Sequence, residues 1–235
     1  MAEIDSKETE RRRETAFFGR RKGHALRSHQ NNLMQSFLPK LLADTTKAST
    51  DPSSLFEDTK QQIHIEIGFG GGEHLIARAQ QNPDIGYIGC EAYVNGIAKL
   101  LNQIDVLKIE NIRIYPGDAL EFCKHLPSSS IDRLYILYPD PWPKVRQRKR
   151  RIISDENLGV FQNILKAGSE LRFATDIDDY SAWTLAHIER APALQWHPIS
   201  SLDWCEPWQD WTRTRYEAKA IREGRVPAYF RFVRT

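Results

Sequence analysis

The stretch IHIEIGFGGGEHL, residues 63–75, decides the fold. Ile63 to Gly68 form a short, β-rich apolar run. The run breaks into glycines at 68 and 70–72, and Glu73–Gln81 then carries Leu75, Ile76 and Ala79 at helical spacing. A strand that ends in glycines and restarts as a helix is the opening unit of a parallel sheet. Downstream the rhythm repeats. YIGCE (87–91), IRIYPGD (112–118), IDRLYILYPD (131–140), ELRFATD (170–176), LQWHP (194–198) and AYFRFV (228–233) read as strands. Between them, 93–107 places Ile97, Leu100, Leu101 and Ile104 on one helical face, and 155–167 does the same with Leu158, Phe161, Ile164 and Leu165. A further helix is expected near 179–190. Ser154 or Asp155 fits the start of the 155–167 helix and Gly168 its stop. This alternation predicts an α/β fold with a mostly parallel sheet covered on both faces.

Upstream of this unit the character changes. Residues 1–42 are polar and basic, with an apolar end at Leu33, Met34, Phe37 and Leu38, and ADTTKASTDPSS (43–54) has the composition of a linker. The expected organisation is a basic, partly flexible extension and linker over 1–54 and one domain over 55–235, within the reach of a chain of 235 residues. No apolar run approaches the ~18–20 residues of a membrane span. The first residues lack a secretory signal, and Glu3, Asp5, Glu8, Glu10 and Glu14 are too many acids for a transit peptide. Cys90, Cys123 and Cys205 are widely spaced and odd in number, so a reducing, cytoplasmic setting is expected and no metal site is assigned.

Charge is unevenly placed. The net charge is only +2, yet KVRQRKRR (144–151) holds Lys144, Arg146, Arg148, Lys149, Arg150 and Arg151 with no acid. A second basic cluster comprises Arg11, Arg12, Arg13, Arg20, Arg21, Lys22 and Arg27. Such runs suit phosphate contacts and the steering of polyanions; a solvated surface run is the plainer alternative. Arg146, Arg148, Lys149, Arg150 and Arg151 are therefore candidate RNA-phosphate contacts.

Each of the first five predicted strands carries an acid at or near its end. The first carries Glu66 and runs into Gly68, Gly70 and Gly72; the others end at Glu91, Asp118, Asp140 and Asp176. In open α/β sheets ligands bind at the carboxyl edge. A glycine turn lets backbone approach a ligand, and often a pyrophosphate on the following helix. Here Glu66 and Glu73 flank the turn and would repel a diphosphate. A cationic nucleoside, S-adenosylmethionine, fits better: Glu91 is placed for the ribose hydroxyls and Asp118 for the adenine amino group. Polar strand ends that merely face loops remain the alternative. YPDPWPK (138–144) adds an acid and an aromatic held by prolines immediately before the basic run, a stiff loop suited to presenting an anionic polymer to the cofactor edge. Trp142, Trp204, Trp208, Trp211 and Tyr216 read either as stacking surfaces for a base or as local packing.

At these residues the sequence resembles the bacterial tRNA (guanine-N7-)-methyltransferases. The resemblance spans about 55–235 and rests on IEIGFGGGEHL (65–75), GCEAY (89–93), GDA (117–119), YPDPWPK with its basic run, LRFATD (171–176) and TRYEAKA (214–220). It departs at Gln147, where relatives often carry His. The resemblance implies a Rossmann-like class I methyltransferase fold, seven-stranded, with an antiparallel last strand. It implies S-adenosylmethionine as donor and a variable-loop guanine of tRNA, usually position 46, as acceptor, with no obligatory protein partner. It further implies Glu66, Gly68, Gly70, Gly72, Glu91, Asp118 and Asp140 at the cofactor, Asp140 as the catalytic residue, and Lys144, Asp176, Thr214, Arg215, Tyr216 and Glu217 at the substrate. A nicotinamide-dependent oxidoreductase is disfavoured by the glutamates around the turn. A non-catalytic RNA-binding scaffold is disfavoured by the full set of rim carboxylates.

Overall fold

The computed structural model describes Gly19 and residues 21–235. The cluster at Arg11, Arg12, Arg13 and Arg20 lies outside the described residues. Among the described residues three helices come first: α1 (Ser28–Ser36), α2 (Leu38–Leu41) and α3 (Thr45–Ala48). Then follow β1 (Gln62–Ile67), α4 (Glu73–Gln81), β2 (Ile85–Cys90), α5 (Val94–Leu107), β3 (Ile112–Tyr115), α6 (Ala119–Lys124) and β4 (Ile131–Leu137). After a 3-10 segment over Val145–Arg150 come α7 (Asp155–Ile164), β5 (Leu165–Thr175), α8 (Asp178–Ile188), β6 (Leu194–Gln195), α9 (Leu202–Cys205), α10 (Arg215–Arg222) and β7 (Ala228–Arg234). The sheet order is β3-β2-β1-β4-β5-β7-β6. β1 to β5 pair in parallel, while β7 runs antiparallel to both β5 and β6. The order reverses between β1 and β4, and that crevice is where ligands enter such sheets. No helix among the described residues is long and apolar enough to cross a membrane.

The two faces of the sheet differ. Ile65, Ile88, Leu134, Ile136, Leu171, Phe173 and Phe232 alternate onto one face and form an apolar core with Phe122 of α6, Phe161 of α7 and Tyr180 of α8. The opposite face carries His64, Glu66, Tyr87, Arg133, Tyr135 and Arg172 in register across β1, β2, β4 and β5. That face is polar over β1, β4 and β5, while Ile112 and Ile114 of β3 keep it apolar where α5 covers it. The polar part is closed by α4 and by the irregular segment 206–214, which brings Trp208, Trp211 and Asp210 onto it.

One element differs from the sequence reading. The helix over 155–167 ends at Ile164, because Leu165 already pairs with Ile131 in β5; Gly168 turns within that strand at φ 80° instead of stopping a helix. The described end of the expected extension and the expected linker over 43–54 pack onto the domain. Leu33, Leu38 and Leu41 pack against Leu100, Leu101 and Ile104 of α5, and Ala43 donates its N–H to the Ile114 carbonyl at 2.9 Å, covering the β3 edge. Asp44 and Asp51 supply the reason: each caps the short helical turn that follows it, so acids that read as linker composition are helix starts. Leu33 is 5% exposed, so Leu33→Ala should destabilise the protein by about 2–3 kcal/mol in urea unfolding, a cost that an unpacked extension would not show.

Candidate active site at the carboxyl edge

The turn after β1 is built from backbone alone. Gly68, Gly70 and Gly72 have φ of 70°, 56° and 78°, the left-handed region in which a Cβ is strained. At Gly68 a Cβ would meet nothing within 4 Å, so the turn leaves open space beside it. The Gly96 Cα lies so close to the Gly70 carbonyl that an added Cβ would fall 2.1 Å from it, which seats α5 directly on the turn.

Glu91, at the end of β2, locks this turn. One oxygen accepts from Gly70 N at 2.8 Å; the other accepts from Ala92 N at 2.8 Å and Tyr93 N at 2.9 Å. Burial raises its pKa above the ordinary carboxylate range despite these donors, and nearby Asp140 adds to the rise. Asp118 caps α6 through Leu120 N at 2.9 Å.

Asp140 sits on a strained loop. Tyr138 and Trp142, two residues to either side, both adopt left-handed backbone at φ 51° and 43°. Such conformations cost roughly 1–3 kcal/mol each for a non-glycine residue, and other contacts must hold them. Tyr138 N donates to the Ala174 carbonyl at 2.8 Å, and Arg151 Nε donates to the Pro141 carbonyl at 2.8 Å. Between these bonds, burial raises the pKa of the Asp140 carboxyl above the ordinary range.

These parts enclose a cavity of about 680 Å³, within the ~300–1,000 Å³ usual for small-molecule sites. Gly68, Gly70, Glu91, Asp118 and Asp140 all line it, as do Lys149, Arg150, Arg215 and Tyr216. Trp142 is on the wall with Arg150 over its ring at 5.0 Å, and the Tyr216 ring lies against Gly70. Glu156 and Asn157 complete the far wall. The sequence gives them no signal, because in sequence they are ordinary first-turn residues of α7.

Other expected residues are placed elsewhere. Glu66 is 4% exposed and lies beneath the turn, 2.7 Å from His74 Nδ1; it and Gly72 do not line the cavity. Asp176 accepts from Arg225, and Lys144 is exposed before the 3-10 segment, both outside the cavity lining. Thr214 caps α10 through Glu217 N at 3.1 Å. Glu217 is 1% exposed and accepts from Trp211 Nε1 at 2.8 Å and from the Tyr229 hydroxyl, so it anchors α10 from below. Of the aromatic candidates, Trp204 packs on Trp196, and Trp208 and Trp211 pack on Tyr229, so local packing is their role here.

Arg151 stands apart from the rest of the basic run: its side chain is fully buried. It lies over the Tyr180 ring at 4.6 Å and the Trp183 ring at 5.1 Å, and it pairs with Asp179 of α8. Arg148 pairs with the same aspartate at 2.6 Å. Arg146 and Lys149 are exposed.

Known proteins share this architecture. A family model described as "Putative methyltransferase" matches residues 60–228. The chain is 50% identical over 220 residues to a tRNA (guanine-N(7)-)-methyltransferase of Nitrobacter hamburgensis, covering 93% of this chain and 86% of that one. It is 48% identical over 223 residues to the protein of the same name from Bradyrhizobium diazoefficiens, covering 94% of each. Among solved structures, the 16S rRNA methyltransferase KamB superposes with TM-score 0.55 at 15% identity, covering 75% of this chain and 89% of that one. The precorrin-6y C5,15-methyltransferase of Geobacter metallireducens gives 0.51 at 12% identity, covering 75% and 81%. The fold is that of the class I methyltransferases.

Arg151 ties the strained loop to α8. Arg151→Ala should therefore lower stability by about 2–3 kcal/mol, measured by urea unfolding, whereas Lys149→Ala should leave it within about 0.5 kcal/mol.

Proposed function

Because this chain belongs to the tRNA (guanine-N(7)-)-methyltransferase family, we propose that it transfers a methyl group from S-adenosylmethionine to N7 of a guanine in tRNA, with position 46 of the variable loop as acceptor. The observation that carries this reading is the meeting of three carboxylates, from the ends of β2, β3 and β4, on one cavity beside a turn that presents no side chain.

The residues present suit such a donor. The open space beside Gly68 is a cradle that any larger residue would fill. Glu91, with three N–H donors on its two oxygens, retains acceptor capacity for a hydroxyl. Asp118 spends one oxygen on its helix cap, which leaves the other for an amino group. Asp140 adds negative charge to the same cavity. When bound, the donor supplies an electrophilic methyl group on a positively charged sulfur.

Guanine N7 already carries the attacking lone pair. No base has to remove a proton before attack, so the protein's task is alignment at near-attack distance and tolerance of the positive charge that arrives on the ring. Asp140 meets both needs: its carboxylate accepts from guanine N1–H and the amino group or from the donor's ammonium, and its charge favours the cationic product. Trp142 and Tyr216, on the walls beside it, offer faces for an extruded base. Exposed Arg146 and Lys149 hold the RNA backbone, with Arg148 joining them when it leaves Asp179. The protein acts in the cytoplasm without an obligatory partner subunit.

Asp140→Ala should lower turnover at least about a hundredfold while tRNA affinity stays within about twofold. Nucleoside mass spectrometry of a tRNA transcript, with and without guanine at 46, reads both the product and the site. Parent-like turnover in this variant would remove Asp140 from the mechanism, and methylation at another atom would remove the reaction.

The raised carboxyl pKa values set a pH dependence. A cation binds the ionised forms of Glu91 and Asp140, so S-adenosylmethionine affinity should fall as pH drops through their raised values and level off above them. Calorimetry between about pH 5 and pH 8 should show weaker binding and net proton release at the acid end.

A further inference from the structure

A second charged centre lies on the polar face of the sheet, outside the cavity. Asp210, in the segment between α9 and α10, is met by three guanidinium groups from three elements. Arg172 Nη1 of β5 is at 2.6 Å, Arg78 Nη2 of α4 at 3.0 Å and Arg133 Nη1 of β4 at 3.6 Å. Arg78 also donates to the Asp210 carbonyl at 3.0 Å, so backbone and side chain are held together. Burial opposes ionisation of this carboxyl, but the three arginines, Arg172 foremost, hold its pKa below the ordinary range. The remaining acid here, Glu170, is shared by Arg133, Arg172 and Arg231. His64 supplies no compensation: burial and the arginines push its pKa down to about 3, which keeps it neutral. Removing the Asp210 charge would take the carboxylate partner from Arg78 and leave Arg133 and Arg172 with Glu170 alone.

From Asp210 a continuous set of contacts leads to the cavity. The next residue, Trp211, packs its ring on His74 at 5.5 Å, and Glu66 fixes His74 from β1. Trp211 Nε1 donates to Glu217, which is also held by Tyr229. Glu217 lies in the first turn of α10, beside Tyr216, whose ring rests on Gly70, and Arg215, which reaches Glu73 at 2.8 Å across Gly71.

We infer that Asp210 is a positioning residue for the substrate side of the site: its clasp on Arg78, Arg133 and Arg172 seats segment 206–214 and so sets where Tyr216 and Arg215 stand over the glycine turn. This rests on the reading of that wall as the face that receives guanine. Asp210 touches no substrate atom. Its effect is expected in the binding of tRNA, not in the cofactor or the chemical step, because Glu91, Asp118 and Asp140 are held by separate contacts.

The test is Asp210→Asn in the full chain, which keeps the side-chain size and removes the charge. KM for a tRNA transcript should rise about tenfold, while kcat and the S-adenosylmethionine dissociation constant stay within about twofold. Amide exchange at 214–220 should quicken while the β5 amides at 171–175 keep their protection. Asp210→Glu should bring KM back to within about threefold of the parent, and Arg133→Gln, which removes the longest of the three Asp210 contacts together with the Arg133–Glu170 pair, should shift KM less and in the same direction. A parent-like KM and exchange pattern in Asp210→Asn overturns the inference. So does a joint loss of KM, kcat, cofactor affinity and β5 protection, which would make Asp210 a general stability residue. If the parent chain forms no N7-methylguanine, the proposed reaction fails by itself, and the exchange comparison still decides the clasp.

Discussion

The Glu91 carboxylate joins the two loops on which the cavity depends. Backbone N–H groups at Gly70, Ala92 and Tyr93 converge on it, so the turn after β1 and the approach to α5 are set by one half-buried carboxylate. Unmet amides at a sheet edge would cost free energy, and Glu91 satisfies three of them. The same bonds orient the carboxylate toward the cavity while burial keeps its pKa high. The geometry of the turn and the negative potential of the site thus come from a single side chain.

Arginine works in the opposite sense. A run of basic residues suggests an outward-facing surface, yet Arg151 points inward, and Arg78 and Arg172 are buried on the far face of the sheet. Each is paired with an aspartate carried by a loop or helix end: Asp179 for Arg151, Asp210 for the other two. A planar guanidinium with several donors can bind a carboxylate and a carbonyl together and still stack on aromatic rings, which a lysine cannot do. Arg151 does all three with Asp179, Pro141 and Tyr180. The aspartate loop can then hold Tyr138 and Trp142 in costly backbone conformations, because bonds on both of its sides compensate the strain.

Much of this was legible in the chain. Periodicity places the strands and the helices α4, α5, α7 and α8, but not α1 to α3, α6, α9 or α10, and glycines after Ile67 mark the turn. Acids at the strand ends identified Glu91, Asp118 and Asp140 as rim residues, and all three line the cavity. The sequence could not separate Glu66 from them. Glu66 precedes the glycines by only two residues, but the alternation of a strand turns its side chain onto the polar face, where His74 takes it. The same alternation hid the arginine clasp, since Arg78, Arg133, Arg172 and Asp210 lie far apart in the chain and meet only when β4 and β5 pair beneath segment 206–214.

Local features are written in the chain: strand and helix periods, the left-handed turn that glycine permits, and the acids that end strands. These follow from one residue's own conformational preferences and from those of its near neighbours. Packing between distant elements settles which charges remain available. Whether Arg151 meets solvent or Tyr180, and whether Glu217 faces a ligand or Trp211, depends on the elements packed over it. Burial makes an unpaired charge too costly, so long-range pairing and not residue type assigns these groups to the site or to its support.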